Sequence, residues 1–138
     1  MLGVVEGESK SSRYIIINKC HCNWQSKEWR MKITEDIYLG DWLDGKRHGR
    51  GKLTRPNGDI YEGDWLEGKR HGKGKETLLC DEISLGNLLY EGDWLDGKRH
   101  GKGRLTRFDN VFDNVYEGGW LNGKRHGKGK QTLSGNIY

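Results

Sequence analysis

Hydrophobic residues are scarce in this chain of 138 residues. They make up 33% of it, alongside 32% charged residues and 22 glycines. That composition does not suit a conventional two-layer core. Long apolar runs are missing too. Tyr14-Ile15-Ile16-Ile17 is the longest, far short of the roughly 20 residues of a membrane-spanning helix. Met1 to Lys10 holds no apolar h-region, which argues against a secretory signal, and Met1-Leu2 lacks the glycine that myristoylation requires. Three cysteines make no paired framework, so the expected setting is a reducing, cytoplasmic one. The net charge of +4 is mild. No segment is basic enough to be an obvious nucleic-acid arm, and no nucleic-acid partner is expected.

What the chain does have is repetition. Tyr38 opens YLGDWLDGKRHGRGK, Tyr61 opens YEGDWLEGKRHGKGK, Tyr90 opens YEGDWLDGKRHGKGR and Tyr116 opens YEGGWLNGKRHGKGK. A quasi-one-dimensional stack, in which each repeat contacts only its neighbours, accommodates so much glycine and so little apolar residue.

Each copy reads as a β-hairpin. Alternation along a strand sets Tyr61, Gly63 and Trp65 on one face and Glu62 and Asp64 on the other. The central pairs Asp44-Gly45, Asp96-Gly97 and Asn122-Gly123 are strong type I′ turn signals, because both residues need φ > 0; Glu67-Gly68 fits less well. A two-residue turn pairs Trp42 with Arg47, Gly40 with Gly49 and Tyr38 with Gly51. On the second face it pairs Asp64 with His71, Glu62 with Lys73, Asp93 with His100 and Glu91 with Lys102. The arginine opposite each tryptophan is expected to lie on its ring. Between repeats, Arg55-Pro56-Asn57-Gly58-Asp59 reads as a three-residue hairpin loop closed by Gly58. It pairs Leu53 with Tyr61, Gly51 with Gly63 and Gly49 with Trp65, keeping aromatics and glycines on one face.

The pattern Y-x-G-x-W-x-x-G-x-x-x-G-x-G resembles the MORN-repeat family over Tyr38 to Tyr138. The resemblance implies an all-β fold, a single elongated twisted antiparallel sheet of tandem hairpins. It also implies a non-catalytic binding or scaffolding module. Such modules are associated with membrane phospholipids, with cytoskeletal and ciliary assemblies, and with enzymes to which the repeats are appended.

The expected organisation is a flexible tail over 1–13, a divergent capping hairpin over 14–37, and repeats over 38–60, 61–89, 90–115 and 116–138. Trp24 and Trp29 are expected to cover the open edge of the cap. Tyr138 stands where a further copy would begin, which suggests a truncated array or a C-terminal edge available for self-association. Two longer connections, Leu79 to Leu89 and Phe108 to Val115, carry apolar residues including Ile83, Leu85, Phe108 and Phe112. They read either as docking loops on a binding face or as local packing.

Three further features carry a bland reading beside a functional one. Lys46, Lys69, Lys98 and Lys124 form a row along the hairpin tips, about 10 Å apart, that could meet anionic lipid headgroups. Asp44, Glu67 and Asp96 cancel much of it, and solubilising the edge is the simpler role. His48, His71, His100 and His126 are too widely spaced to share a metal. No nucleophile recurs beside the Asp–His pairs, so neither catalysis nor a metal is assigned to them. Cys20-His21-Cys22 lacks the usual spacing of zinc knuckles, and Cys80 would join it only by chance. No cofactor is expected.

The reading is a non-enzymatic scaffold that docks protein partners at a cytoskeletal, ciliary or membrane-apposed site. Direct binding of anionic phospholipid is the first alternative. A regulatory segment of a larger enzyme, such as a lipid kinase or protein methyltransferase, is the second. The expected partner surface is the aromatic face, with Tyr38, Trp42, Tyr61, Trp65, Tyr90, Trp94, Tyr116 and Trp120 receiving a helix or extended peptide. Burial of those tryptophans by the chain itself would make that face core instead.

Overall fold

The computed structural model describes residues 3–9, 12–22, 29–32, 35–79, 86–108 and 112–135, with side chains over 35–79, 86–108 and 113–134. Every regular element among them is a strand. Strands β4 (Ile37–Leu43), β5 (Lys46–Thr54), β6 (Ile60–Leu66), β7 (Lys69–Leu78), β8 (Asn87–Leu95), β9 (Lys98–Phe108), β10 (Phe112–Leu121) and β11 (Lys124–Gly135) form one eight-stranded antiparallel sheet, each strand pairing with its sequence neighbours.

The turns follow the sequence. Asp44, Glu67, Asp96 and Asn122 all take φ of 49°, each followed by a glycine of positive φ. Glu67 therefore adopts the left-handed conformation despite its Cβ, because the hairpin on either side over-determines the turn. The Arg55–Asp59 loop closes with the Arg55 amide donating to the Asp59 carbonyl at 2.9 Å, and Gly58 holds φ of 88°.

Register holds near the turns and shifts beyond them. Trp42 opposes Arg47, Trp65 opposes Arg70, Asp64 opposes His71 and Asp93 opposes His100, as expected. The inter-repeat pairs Leu53–Tyr61, Gly51–Gly63 and Gly49–Trp65 also form. Within each hairpin, however, a bulge follows the histidine. Gly40 pairs with Gly51 rather than Gly49, Tyr38 with Leu53 rather than Gly51, Glu62 with Lys75 rather than Lys73, and Glu91 with Arg104 rather than Lys102. Gly49, Gly72, Gly101 and Gly127 sit in these bulges at φ of 57–66°. The slip is two residues, an even number, so every side chain keeps its face.

The longer connections are shorter than the sequence suggested. Asn87, Leu88 and Leu89 belong to β8 and pair with Phe108, Arg107 and Thr106. Asp113 in β10 opposes Phe108 in β9. Residues read as loop lengthen the strands instead, through ladder pairing with β9. Ile83 and Leu85 lie outside the described residues, as does the side chain of Phe112, which begins β10; Phe108 is exposed at the end of β9.

A separate three-stranded sheet precedes the array: β1 (Gly3–Ser9), β2 (Ser12–Cys22) and β3 (Trp29–Lys32). Strand β1 lies within the 1–13 span expected as a tail. Val4 opposes Ile17 and Val5 opposes Ile16, and β-branched residues on both sides favour an extended pairing. Strands β2 and β3 form a hairpin with Cys22 opposite Trp29. Trp24, Cys80 and Tyr138, and the side chains of Cys20, Cys22 and Trp29, lie outside the described residues.

Candidate functional site

The two faces of the eight-stranded sheet have opposite characters. On the first, Tyr38, Tyr61, Tyr90, Tyr116, Trp65, Trp94 and Trp120 are buried, while Trp42 is 37% exposed. Three of the four repeat tryptophans are thus covered by the chain itself, and the face stays open at Trp42. Each tyrosine ring lies over a glycine pair: a Cβ on Gly51 would meet the Tyr38 hydroxyl oxygen at 2.1 Å, and one on Gly74 would meet that of Tyr61 at 2.3 Å. Tyrosine and tryptophan rings then alternate edge to face along the sheet, Tyr61 with Trp65 at 5.1 Å and with Trp94 of the next repeat at 5.2 Å, continuing through Tyr90, Trp120 and Tyr116. Such pairs contribute about 0.5–1.5 kcal/mol each beyond burial.

The polar ends of these rings are satisfied. Tyr38, Tyr61, Tyr90 and Tyr116 hydroxyls donate to the carbonyls of Asp41, Asp64, Asp93 and Gly119 at 3.0–3.2 Å. The indole N–H groups of Trp65, Trp94 and Trp120 donate to Gly51, Gly74 and Gly103 of the preceding repeat at 3.1–3.3 Å. Burial pushes the phenol pKa of Tyr38 and of Tyr90 up to about 12, and that of Tyr61 higher still.

The arginines complete the seal, although not on the ring opposite. Arg47 lies over Tyr38 of its own repeat and Trp65 of the next, 5.2 Å from each centroid, and Arg70 lies over Tyr61 and Trp94 at 4.8 and 5.0 Å. Each guanidinium thereby staples two repeats. Glu76, which sequence reading missed, is buried at 7% exposure and bridges Arg70 and Arg99, with Oε2 2.8 Å from Arg99 Nη2. Leu53 and Leu105 stand at the same repeat position in the first and third copies. The fourth copy carries Gln131 there, so Glu76 is the one acid at a position that alternates between leucine and a polar residue. The space among Leu53, Tyr61, Arg70 and Glu76 leaves no room for a water molecule.

The second face is a shallow trough floored by Gly51, Gly63, Gly74 and Gly92 and lined by Arg50, Lys52, Glu62, Lys73, Lys75 and Glu91. Charges of both signs alternate along it: Arg50 meets Asp64 at 3.3 Å, Lys75 meets Glu91 at 3.2 Å, and Arg104 meets Glu117 at 3.4 Å.

The aspartate of the motif is a structural cap. Asp41, Asp64 and Asp93 each accept through Oδ2 a bond from the amide of the residue after the bulge glycine, Arg50, Lys73 and Lys102, at 2.9–3.1 Å. The other oxygen of Asp64 and of Asp93 meets a cation of the preceding repeat, Arg50 and Lys73 respectively. Desolvation raises the Asp93 pKa, but Lys73 and the Lys102 amide outweigh it and hold the carboxyl below its ordinary value. The histidines opposite are not the aspartates' partners: Nδ1 of His71 and of His100 is buried without a hydrogen bond. The Asp–His pairs thus lack the hydrogen bond that would make them catalytic dyads.

Lys46, Lys98 and Lys124 stand exposed beside the hairpin turns; Lys69 does too, with Asp96 at 4.0 Å. Among the described residues no three His, Cys, Asp or Glu side chains gather into a metal-binding group, and no helix is long and apolar enough to cross a membrane.

Hairpins joined edge to edge into one sheet, with aromatic stacking between repeats in place of a second layer, define a tandem β-hairpin repeat protein. The MORN repeat matches at residues 38–60, 61–78, 90–110 and 116–136, more than half of the chain. The chain belongs to the MORN-repeat family. A search of curated proteins finds no match.

Proposed function

We propose that this chain is a non-enzymatic interaction module that docks a protein partner along its charged trough, at a cytoskeletal, ciliary or membrane-apposed site. The observation that carries the reading is the contrast in access. From Trp65 onward the aromatic face is closed by the chain's own rings and arginines, whereas the trough is open, glycine-floored and lined by exposed charge of both signs. An extended peptide fits such an open, shallow surface, which it can follow lengthwise. Paired charges set its register and exclude mismatched sequences. The cellular setting follows from the family resemblance alone.

Direct binding of anionic phospholipid through Lys46, Lys69, Lys98 and Lys124 is the second reading. It is favoured by the exposure of these lysines at the hairpin tips and opposed by the acids in three of the same turns.

A photo-crosslinking residue at Lys52, in the trough, tests the first reading against one at Arg125, on the aromatic side. Salt-sensitive crosslinking of a discrete protein in cells from position 52 and not 125 is expected. Crosslinks from position 125 alone, or binding to anionic vesicles with no protein adduct, would overturn it.

A further inference from the structure

The fourth repeat lacks the carboxylate that caps the bulge in the other three. Gly119 stands where Asp41, Asp64 and Asp93 stand. Both groups that hold that carboxylate elsewhere remain. The Lys128 amide follows the bulge glycine Gly127, as the Lys73 and Lys102 amides follow Gly72 and Gly101. Lys102 occupies the place from which Arg50 reaches Asp64 and Lys73 reaches Asp93. Among the described residues no carboxylate takes the vacant place. A Cβ on Gly49, Gly72 or Gly101 would meet the aspartate Oδ2 at 2.5–2.6 Å, whereas one on Gly127 meets nothing within 4 Å. An open pocket lies there, lined by Lys102, Arg104, Glu117, Gly119, His126 and Lys128 over a floor of glycines.

We propose that this vacancy is a binding site for one carboxylate, supplied by an aspartate or glutamate of an acidic peptide segment in the docked partner. The aspartates of the other three repeats show the chemistry that fits: one oxygen on a backbone N–H, and in two of them the other oxygen on a cation from the preceding repeat. Such charge-assisted contacts are stronger than neutral ones, and an amide beside a left-handed glycine belongs to the backbone concavities that bind anions. The local charge agrees. Residues 116–138 hold four lysines and arginines and one acid, Glu117, and that acid is engaged by Arg104. The proposal rests on the trough as the docking surface and places one anchor beyond its end, in a separate pocket of the third and fourth repeats.

The test is an amide NMR titration of the full chain with an acetylated, amidated Gly-Asp-Gly peptide. Parallel arms use inorganic phosphate and sodium chloride at matched ionic strength. The Lys128 and Gly127 amides are expected to shift saturably with the peptide, at a Kd on the order of millimolar, while the aspartate-capped Lys73 and Lys102 amides stay still. Lys102→Gln should weaken binding about threefold to fivefold. Asp64→Gly should create a second responsive amide at Lys73. Gly119→Asp should abolish the response. Because a Cβ there would meet the His126 carbonyl oxygen at 2.2 Å, that variant requires a local shift, so Lys102→Gln and Asp64→Gly carry the test independently. A Lys128 response no larger than that of the capped amides, or one reproduced by chloride, overturns the site. A saturable response to phosphate alone overturns its assignment to a carboxylate. Failure of this titration with crosslinking from Lys52 intact would remove the anchor and leave the trough reading standing; the reverse pattern would remove the trough reading.

Discussion

The two faces of the sheet are built from the same strands, residue by residue in alternation, yet they do opposite things. On one, Tyr90 is 0% and Trp94 4% exposed; on the other, Lys75 and Glu91 form an ion pair in which both side chains are about half exposed. The aromatic face performs the work of a hydrophobic core without a second layer, because rings, glycines and guanidinium planes cover one another. The charged face contributes little to stability, since exposed ion pairs yield at most about 1 kcal/mol, and it is therefore free to serve recognition.

Alkali should break this contrast most completely. Tyr38 and Tyr90 phenols are raised from an ordinary value of 10.0 to about 12. The folded state thus favours the neutral phenol. Its contribution is fully present below pH 10 and is lost as pH rises through 10 toward 12. Phenolate absorbance and tryptophan fluorescence should change together in one cooperative step. Ionisation near pH 10 with the fold intact would show the rings to be more accessible than described.

Among single substitutions, Trp94→Ala should cost about 3–5 kcal/mol, as for a large buried aromatic. Trp42→Ala, at a ring already 37% exposed, should cost under about 2 kcal/mol. Urea midpoints compare the two, and equal losses would erase the distinction between interior and first repeat. Glu76→Ala leaves Arg70 and Arg99 without their shared carboxylate and should cost about 2–3 kcal/mol, somewhat less than for fully buried pairs because both arginines keep some exposure. Glu76→Leu, the residue at this position in the first and third repeats, should recover most of that loss. A worse result for leucine would mean that the ion triad is required rather than tolerated.

On the charged face, Asp64→Ala removes one bulge cap and should cost about 1 kcal/mol, with the Lys73 amide gaining fast hydrogen exchange. The smallest effect is expected from Lys46→Gln, Lys69→Gln, Lys98→Gln and Lys124→Gln combined, whose unfolding midpoint should barely move. Vesicle flotation of the same variant then isolates the lipid reading: unchanged binding to anionic vesicles removes this edge as the lipid site.

Much of the fold was legible because it is local. Tyr, Gly and Trp at alternate positions define a face, Asp-Gly and Asn-Gly define the turns, and Pro56 with Gly58 defines the link between repeats. Each is a short-range steric constraint, and the two turn types agree independently on one face. The bulge was not legible. Gly49 and its counterparts fit the alternating pattern either way, and only Asp41, Asp64 and Asp93 reaching across to an amide select the two-residue slip. The Asp–His pairs illustrate the same limit: their opposition across the strands followed from the turn, but their lack of a shared hydrogen bond did not.

The sequence by itself therefore determined the number of hairpins, their turns, and which residues share a face, because each depends on a few neighbouring backbone torsions. Only the tertiary structure decided which face is closed. That depends on how far each arginine reaches into the following repeat, how the rings tilt over paired glycines, and whether Glu76 finds two guanidinium groups at once. The contacts that link one repeat to the next, Arg47 with Trp65, Arg70 with Trp94 and Arg99 with Glu76, join residues 18 to 24 positions apart, and no local torsional rule connects them.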